Sequence, residues 1–368
     1  MTQKLDIAFF GSSLVSTYWN GAATYYRGII RALHARGHLI RFYEPDAFER
    51  QQHRDMADPD WAKVVVYPAD EAGVYRVLEV AHRADLVVKA SGVGVFDALL
   101  EREVLALQGP DTQVVFWDVD APATLASVEG NAADPFRALI PRYDLILTYG
   151  GGPPVVEAYR ALGARECVPI YNALDTSTHH PVPPDRRFEA LLGFLGNRLP
   201  DREARVEEFF FNPARCLPDR QFLLGGSGWQ TDLPNVRYFG HVGSRDHNAF
   251  NCTPRALLNI NRASMARVGF SPPTRIFEAA GATACLITDP WPGLDEFLEP
   301  GTEVLVAHEG DKVAQLVMDL TATRARRIGE AARKRVCAEH TYAHRALQVE
   351  QVLGASKKGC FCLNERAQ

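Results

Sequence analysis

The sequence predicts an α/β protein of two domains, each a parallel β-sheet covered by helices. The chain has 368 residues, which exceeds the size at which single hydrophobic cores stop growing and favours two domains of roughly 150–200 residues. Short runs of β-branched and aromatic residues alternate with longer helical patterns almost throughout, as βαβ units require. A proline-rich stretch near the middle separates two such series.

The first series fills the N-terminal half of the chain. Several of its strands are continuously apolar, which is typical of strands buried on both faces. Between the first two strands, apolar residues recur with a helical period, while Arg27, Arg31 and His34 occupy the opposite side. The predicted strands are residues 5–10, 39–44, 64–67, 86–89, 114–117 and 145–148.

The second series follows a linker rich in proline and charge. Its predicted strands are residues 191–195, 221–224, 236–239, 257–260, 284–288 and 303–306. The two series predict two facing Rossmann-like domains. The predicted boundaries are 1–171 for the N-terminal domain, 172–187 for the linker, 188–335 for the C-terminal domain, 336–354 for a last helix that crosses back to the first domain, and 355–368 for a flexible tail.

Composition and charge disfavour several classes of protein. The net charge is −5 at pH 7, so no overall field favours nucleic acid or an anionic membrane. No apolar run approaches the roughly 20 residues that span a bilayer, and the first residues lack the features of a secretory signal. Five cysteines stand alone, and Cys360 and Cys362 lack the spacing of a zinc site. We therefore expect a cytoplasmic protein.

The most informative segment lies in the C-terminal half. A buried strand leads through Asn261 into a loop that ends at Ser271, which is predicted to cap a helix whose first position is Pro272. Free backbone N–H groups and the positive end of the helix dipole meet at such a start. This arrangement suits a diphosphate.

Arg275 and Glu278 follow Thr274 on this helix and are three residues apart, so they share a face. A cation there can bind a phosphate. A carboxylate can accept two hydrogen bonds from the cis-diol of a ribose. The alternative is an ordinary surface ion pair, which contributes only a few tenths of a kcal/mol.

This segment resembles the C-terminal domain of spore-maturation-type, CgeB-like glycosyltransferases. Further motifs occur in the expected order: Gly-Leu-Asp-Glu-Phe at 293–297, Gly-Thr-Glu-Val-Leu-Val at 301–306 and Glu-His-Thr-Tyr at 339–342. The resemblance covers roughly 191–353. It implies a GT-B fold, a nucleotide-diphosphate sugar as co-substrate, and no metal or other cofactor. In that superfamily a carboxylate matching Glu278 binds the donor ribose, whereas the usual second Glu near the sugar is replaced here by Phe270.

Two other loops are candidates for the same ligand. Gly196 and Arg198 follow a strand, with Arg202 close behind, and arginine offers phosphate a bidentate fork. The resemblance implies that this turn faces the donor diphosphate. We favour Arg198, which lies in the turn itself, because Arg202 and its neighbour Arg205 can simply solvate a helix.

A glycine-rich loop containing Gly228 permits close approach of backbone to a ligand. The resemblance implies that the segment from Tyr238 to Val242, which includes His241, lies along the nucleobase. A histidine with its hydrogen bonds satisfied inside the loop is the simpler interpretation of His241.

The N-terminal half is less explicit. Gly11 and Ser12 follow the first strand, Asn20 opens the first helix, and Gly92 follows a later strand. They are predicted to line the cleft for the acceptor or the transferred sugar. They do not match Gly-x-Gly-x-x-Gly, so nicotinamide binding is disfavoured.

Asp118 and Asp120 follow another strand, at the end where α/β sites usually lie. Either carboxylate could take the proton from an acceptor hydroxyl. Capping of the loop is the alternative, and metal ligation is disfavoured.

We therefore predict a glycosyltransferase that moves a hexosyl or related group from a nucleotide-diphosphate sugar to an acceptor. The acceptor could be a glycan, a protein or a small molecule. The alternatives are a nucleotide-sugar epimerase or hydrolase of the same fold, and a non-catalytic nucleotide-sugar-binding protein, which the departure at Phe270 favours. The donor base, the stereochemical outcome and the oligomeric state stay open.

Overall fold

A computed structural model describes residues 4–364, apart from the side chains of Ser264 and of 355–364. The chain divides into two compact units, Met1–Tyr171 with Tyr342–Gln368, and Asn172–Thr341. Within the described residues, no helix combines the length and apolar character that crossing a membrane requires.

The first unit is built on a seven-stranded sheet in which every pairing is parallel. Its strands are β1 (Asp6–Phe10), β2 (Leu39–Asp46), β3 (Lys63–Pro68), β4 (Leu86–Ala90), β5 (Gln113–Asp118), β6 (Leu145–Thr148) and β7 (Cys167–Pro169). Across the sheet they lie in the order β3-β2-β1-β4-β5-β6-β7. β4 is buried along its whole length, as expected for a central strand between two helical layers.

Helices connect most of these strands as crossovers, whereas turns connect β2 to β3. The helices are α1 (Ala23–Ala35), α2 (Glu71–Ala81), α3 (Asp97–Glu103), α4 (Ala121–Gly130) and α5 (Gly152–Ala161), with 3₁₀ turns at Val104–Leu107, Pro135–Ala138 and Ile140–Arg142. The apolar face predicted for α1 is the buried one, with Tyr26, Ile29 and Ile30 inaccessible to solvent.

The second unit contains a six-stranded sheet, also wholly parallel. Its strands are β8 (Leu192–Leu195), β9 (Phe222–Gly225), β10 (Val236–Gly240), β11 (Ala256–Asn259), β12 (Leu286–Thr288) and β13 (Leu305–Val306). Their order is β10-β9-β8-β11-β12-β13. All twelve predicted strands of the two series are therefore confirmed, each within two residues of its predicted ends. The short strand β7 was not predicted, because three residues ending in proline carry little strand signal.

The helices of the second unit surround a core that includes Phe194, Phe210, Phe222 and Leu258. They are α6 (Pro200–Val206), a π-helical turn (Glu207–Phe211), α7 (Asn212–Cys216), α8 (Ser244–Cys252), α9 (Ala263–Val268), α10 (Thr274–Gly281), α11 (Gly310–Asp319) and α12 (Ala322–Glu339), with 3₁₀ turns at Arg186–Phe188 and Leu294–Glu296.

The last helix, α13 (Tyr342–Asn364), belongs to the first unit. At Gly28 of α1 an added Cβ would lie 2.2 Å from the Tyr342 ring, so the two helices pack closely there. The predicted helix at 336–354 is corrected at both ends. Residues 336–339 belong to α12, which ends at Glu339. The residue that follows, His340, has a non-helical backbone conformation. Helical backbone then continues through 364, since internal hydrogen bonding does not need an apolar stripe. The part of the predicted flexible tail at 365–368 lies outside the described residues.

Candidate functional site

The parallel strands of the second sheet bring their carboxyl ends to one edge. In α/β proteins, ligands usually bind at this edge. The turns that follow β8, β9, β10 and β11 carry five of the eleven residues predicted to bind the donor: Gly196, Arg198, Gly228, His241 and Asn261. The fold therefore places those segments of the sequence at one end of the sheet.

The turns after β8 and β9 touch through their backbones. Gly226 has φ +109°, and a Cβ added there would lie 2.2 Å from the carbonyl oxygen of Gly196. The side chain of Asn197 accepts a hydrogen bond from the Ser227 amide at 2.9 Å. Trp229 Nε1 donates to the Gly196 oxygen at 2.6 Å. Only glycine permits this approach, and the contacts fix the position of the predicted phosphate turn.

Arg202, near the start of α6, reaches back into this turn and donates to the Asn197 oxygen at 2.5 Å. Burial, together with the positive charges of Arg275 and Arg262, lowers the pKa of Arg202 to about 10, against the opposing effect of Asp201. Its Nε is buried and has no hydrogen-bond partner among the described residues. Several guanidinium groups thus concentrate positive charge beside the turn.

Arg275 on α10 adds a second unsatisfied donor to this region. Its Nη1 is buried without a hydrogen-bond partner in the described part of the chain. Burial lowers the pKa of Arg275, with partial compensation from Glu278. A buried guanidinium nitrogen with no acceptor costs free energy, and an anion is the partner that such a group accepts best.

The structure reverses the predicted ranking of the arginines. Arg198 is half-exposed and pairs with Glu203 at 2.6 Å on the surface, whereas Arg202 faces the concentrated positive charge. Arg205 forms an ion pair with the buried Asp289 at 2.5 Å. Arg202 is therefore the stronger candidate for binding phosphate.

The start of α10 differs from the prediction. The helix begins at Thr274, and its N-cap is Pro273 in extended conformation, with no side-chain cap. Ser271 is buried three residues earlier, so its prediction as N-cap was wrong. The reason is local, because Pro273 disfavours helical backbone at the preceding Pro272. The first turn of α10 still presents backbone amides that no side chain caps.

Phe270 occupies the position where the superfamily usually has its second Glu. Its φ is +46°, and its amide donates to the Pro292 oxygen at 2.7 Å. A Cβ added to Gly293 would lie 2.3 Å from the Phe270 ring, so the ring packs onto that backbone. An apolar ring therefore replaces a carboxylate here.

Glu278 lies on α10 with 15% of its side chain exposed. Two histidines lie beside it. His179 Nε2 is 4.0 Å from a Glu278 oxygen and 3.0 Å from His247 Nδ1. Burial raises the pKa of Glu278, but the influence of His247, His179 and Arg275 outweighs burial and leaves this pKa below its ordinary value. The carboxylate is therefore ionised at neutral pH.

His247 itself titrates unusually. Burial is the main cause that lowers its pKa to about 4, with Arg275 and His179 acting in the same direction and Glu278 opposing them. His247 is therefore neutral at physiological pH. Neither histidine was predicted, because His179 comes from the linker and His247 from α8, and no local pattern relates them to α10.

Asn261 follows β11 and is buried. Its backbone N–H donates to Asp289 Oδ1 at 3.1 Å. Its side-chain oxygen Oδ1 is buried without a partner among the described residues. Asp289, which follows β12, thus connects two loops of the site edge. It was also missed, since a single Asp after a strand is a weak signal.

The residues predicted to contact the nucleobase region lie in or beside β10 and in the loop before it. Gly228 lies in the loop after β9, Tyr238 lies within β10, and His241 follows β10. Gly228 has φ +87°. Tyr238 is 41% exposed, and its hydroxyl donates to the Gly226 oxygen at 3.0 Å. His241 is exposed just beyond the end of β10. Their predicted contact with the nucleobase stays a prediction.

In the first unit, Ser12 and Asn20 are buried and bond to each other. Ser12 Oγ donates to Asn20 Oδ1 at 2.8 Å, and Asn20 Nδ2 donates to the oxygens of Ser13 and Ser16. These contacts shape the loop after β1, and the predicted place of Ser12 and Asn20 in the cleft for the acceptor or the transferred sugar stays a prediction.

The two glycines predicted with Ser12 and Asn20 differ in their surroundings. Gly11 packs against the Phe42 ring, which lies 2.5 Å from an added Cβ. Gly92 is exposed, with φ +65° and no atom within 4 Å of an added Cβ. Gly92 therefore has space in front of it for a ligand, whereas Gly11 has none.

Asp118 is fully buried at the end of β5. It accepts hydrogen bonds from the hydroxyls of Ser91, Thr124 and Tyr159. A carboxylate without exposed surface does not reach an acceptor hydroxyl, so this geometry argues against the predicted role of Asp118 as base. Asp120 is exposed at the start of α4, and its side chain caps nothing. It stays the predicted base.

Residues 202–351 match the family model described as glycosyl transferase-like. The matched segment, 150 of the 368 residues, is similar to a glycosyltransferase domain. This domain begins at Arg202 and contains the whole of α10, and it confirms the prediction of a glycosyltransferase. Among curated proteins there is no significant match to the sequence.

Solved structures similar to this chain are GT-B glycosyltransferases, which confirms the predicted fold class. Sucrose-phosphate synthase from Thermosynechococcus elongatus has a TM-score of 0.68 and 14% identity, covering 96% of this chain and 99% of that one. Anabaena HepE in complex with UDP and glucose has a TM-score of 0.66 and 15% identity, covering 95% and 100%. The catalytic domain of Arabidopsis thaliana starch synthase IV bound to ADP and acarbose has a TM-score of 0.69 and 11% identity, covering 97% and 100%.

Proposed function

We propose that this glycosyltransferase uses a nucleoside-diphosphate hexose as its donor and binds it at the carboxyl edge of the second sheet, without a catalytic metal. One observation carries the proposal. Arg202 and Arg275 each bring a buried guanidinium nitrogen, with no hydrogen-bond partner among the residues that the structure describes, to the edge where α10 also presents Glu278. A diphosphate and a ribose diol are the ligand groups that such an arrangement accommodates.

The roles of the side chains follow from their chemistry. Arg202 and Arg275 stabilise the negative charge that accumulates on the departing diphosphate, which is the largest electrostatic requirement of the reaction. Two permanent cations can perform the task that a divalent metal performs in other enzymes. Uncapped amides at the start of α10 add to the same field.

Glu278 accepts hydrogen bonds from the two ribose hydroxyls. Its depressed pKa supports this role. An ionised carboxylate offers only acceptors, and its charge strengthens the hydrogen bonds that it accepts from hydroxyl groups. Asp120 of the first unit is our candidate for the base that deprotonates the acceptor, and the acceptor itself is unassigned.

A uridine donor is the first to test, because HepE is described in complex with UDP. An adenosine donor is the second, because the starch synthase is described in complex with ADP. Within the broader superfamily, the motifs at 293–297, 301–306 and 339–342 favour a CgeB-like enzyme. Phe270 is expected to alter the contacts to the transferred sugar, because an apolar ring cannot accept a hydrogen bond from a hydroxyl.

Calorimetric titration with UDP, ADP and GDP, and then with their glucose conjugates, tests the proposal. Glu278→Gln keeps the size of the side chain and removes its charge. We expect it to weaken binding of the preferred nucleotide at least tenfold, corresponding to about 1.4 kcal/mol. The matched control is Glu330→Gln, an exposed carboxylate on α12, which should bind as wild type does. Unchanged affinity in Glu278→Gln would remove the ribose assignment.

A further inference from the structure

Three potential metal ligands converge beside α10. They come from His179, His247 and Glu278, and each residue offers one ligand atom, a ring nitrogen or a carboxylate oxygen, within 4.8 Å of the others. His179 Nε2 is 3.0 Å from His247 Nδ1 and 4.0 Å from Glu278 Oε1. Each ligand comes from a different segment of the second unit: the stretch before β8, α8 and α10.

These distances match those around a bound transition metal. Zinc binds histidine nitrogen and carboxylate oxygen at about 2.0–2.2 Å, which places ligand atoms of a tetrahedral site about 3.3 Å apart. The two separations from His179 Nε2, 3.0 and 4.0 Å, bracket that value, and the three residues offer ligand atoms within 4.8 Å of one another. Side-chain shifts on the order of 1 Å would complete the site. Two histidines with one glutamate is a ligand set that zinc uses when it retains a water molecule.

A second hydrogen bond orients one of the ligands. His179 Nδ1, the nitrogen that does not face the cluster, lies 3.0 Å from Thr178 Oγ1. Metal-binding histidines usually hold their other ring nitrogen in this way, because the bond fixes the ring and directs the free nitrogen toward the metal.

The segment that carries His179 is itself held in place. Asn248 Nδ2 on α8 donates to the Thr178 oxygen at 2.9 Å. On α10, a Cβ added to Gly281 would lie 2.9 Å from the His179 oxygen. The three segments are thus packed together by contacts that do not involve the ligand atoms, so the cluster is assembled before any ion arrives.

We propose that His179, His247 and Glu278 form a binding site for a zinc-class divalent cation, and that this cation and the donor nucleotide exclude each other. The second part rests on the function proposed above, because Glu278 cannot hold the ribose diol and a metal at the same time. The positive charge of Arg275, three residues away on the same helix, opposes a divalent cation. We therefore expect reversible binding, weaker than at a structural zinc site.

The site is tested with tag-free protein freed of metal by a chelator. Zinc affinity is measured by competition with a chromophoric chelator, and Co²⁺ is used as a spectroscopic probe, since its visible absorption reports nitrogen and oxygen ligation. We expect one equivalent bound by the wild type and at least a tenfold loss of affinity in His247→Gln, in His179→Gln and in Glu278→Gln. His180→Gln is the matched control, because His180 is adjacent to the cluster but exposed.

Exclusion is tested by titrating UDP at increasing zinc concentration. The apparent affinity of the wild type for UDP should fall more than that of His247→Gln. Comparing these two proteins separates competition at the site from chelation of zinc by UDP in solution, which affects both equally. Thermal melting of each variant verifies that it is folded.

The outcomes separate the two proposals. Zinc binding that is equally tight in the His179 and His247 variants would overturn the metal site. Zinc bound at the cluster with no effect on UDP would overturn exclusion, together with the assignment of Glu278 to the ribose, and would leave the metal site standing. Loss of zinc in Glu278→Gln with UDP affinity unchanged would contradict the ribose assignment and the exclusion that rests on it, and would leave the metal site standing.

Discussion

The phenol of Tyr159 donates a 2.5 Å hydrogen bond to the buried carboxylate of Asp118. The other Asp118 oxygen accepts from Ser91 Oγ at 2.8 Å, Thr124 Oγ1 at 3.1 Å and the Asp120 amide at 3.0 Å. Burial raises the pKa of Asp118 in spite of these bonds. Asp118 thereby joins β5 to the loop after β4 and to helices α4 and α5.

Asp118→Ala should therefore destabilise the protein. Several buried donors would lose their acceptor at once, and we expect the free energy of unfolding to fall by about 2–4 kcal/mol. Urea denaturation measures the loss. Asp120→Ala, which removes an exposed carboxylate, should change stability by less than about 0.5 kcal/mol but reduce turnover. A fully stable Asp118→Ala protein with abolished turnover would instead restore Asp118 as the base.

Arg202 and Arg198 should differ in their effect on nucleotide binding. Arg202→Ala removes a guanidinium from the concentrated positive charge beside Arg275, and we expect UDP affinity to fall 10- to 100-fold, or about 1.4–2.7 kcal/mol. Arg198→Ala breaks only an exposed pair with Glu203 and should change affinity less than about threefold. Calorimetry at constant ionic strength measures both. Equal losses would mean that the surface pair opens to bind phosphate.

Gly226→Ala tests the contact between the turns after β8 and β9. The new methyl would meet the Gly196 oxygen, and φ +109° is itself unfavourable for alanine. We expect about 2–4 kcal/mol lower stability and weaker nucleotide binding. Gly240→Ala is the control, because its φ is also positive at +76° but nothing lies within 4 Å of the added Cβ. It should cost about 1 kcal/mol. Chemical denaturation distinguishes the two, and similar losses would show that backbone strain alone matters.

Glu101, on α3, should make the free energy of unfolding of the first unit depend on pH. Burial raises its pKa to about 7 from the ordinary 4.5, although Lys89, with its nitrogen 3.7 Å away, opposes the rise. Between these two values the folded protein binds a proton that the unfolded chain releases. Stability therefore decreases as pH rises from about 4.5 to 7, by up to about 3 kcal/mol.

Glu101→Gln should remove this dependence, and Glu129→Gln, an exposed position on α4, should retain it. Urea midpoints measured at pH 5, 6, 7 and 8 provide the comparison. A decrease of equal slope in Glu101→Gln would assign the pH dependence to another group.

The strands, the two parallel sheets and the helix that carries Arg275 and Glu278 were predictable from the sequence. Strand and helix periodicities arise from the alternation of side chains along a few residues, so they are visible in a short window. The spacing of Arg275 and Glu278 was informative for the same reason. Even the wrong prediction at Ser271 had a local cause, because Pro272 is followed by Pro273 and the helix starts later than the cap signal suggested.

The environment of each charged group was decided only by the tertiary structure. Asp118 and Asp120 are two residues apart, yet packing buries one under three hydroxyls and leaves the other exposed. Folding likewise brings His179 and His247 from distant segments to Glu278. Desolvation and charge–charge interaction depend on what surrounds a group in three dimensions. The sequence determined which elements form, whereas long-range packing determined which side chains of those elements can meet a ligand.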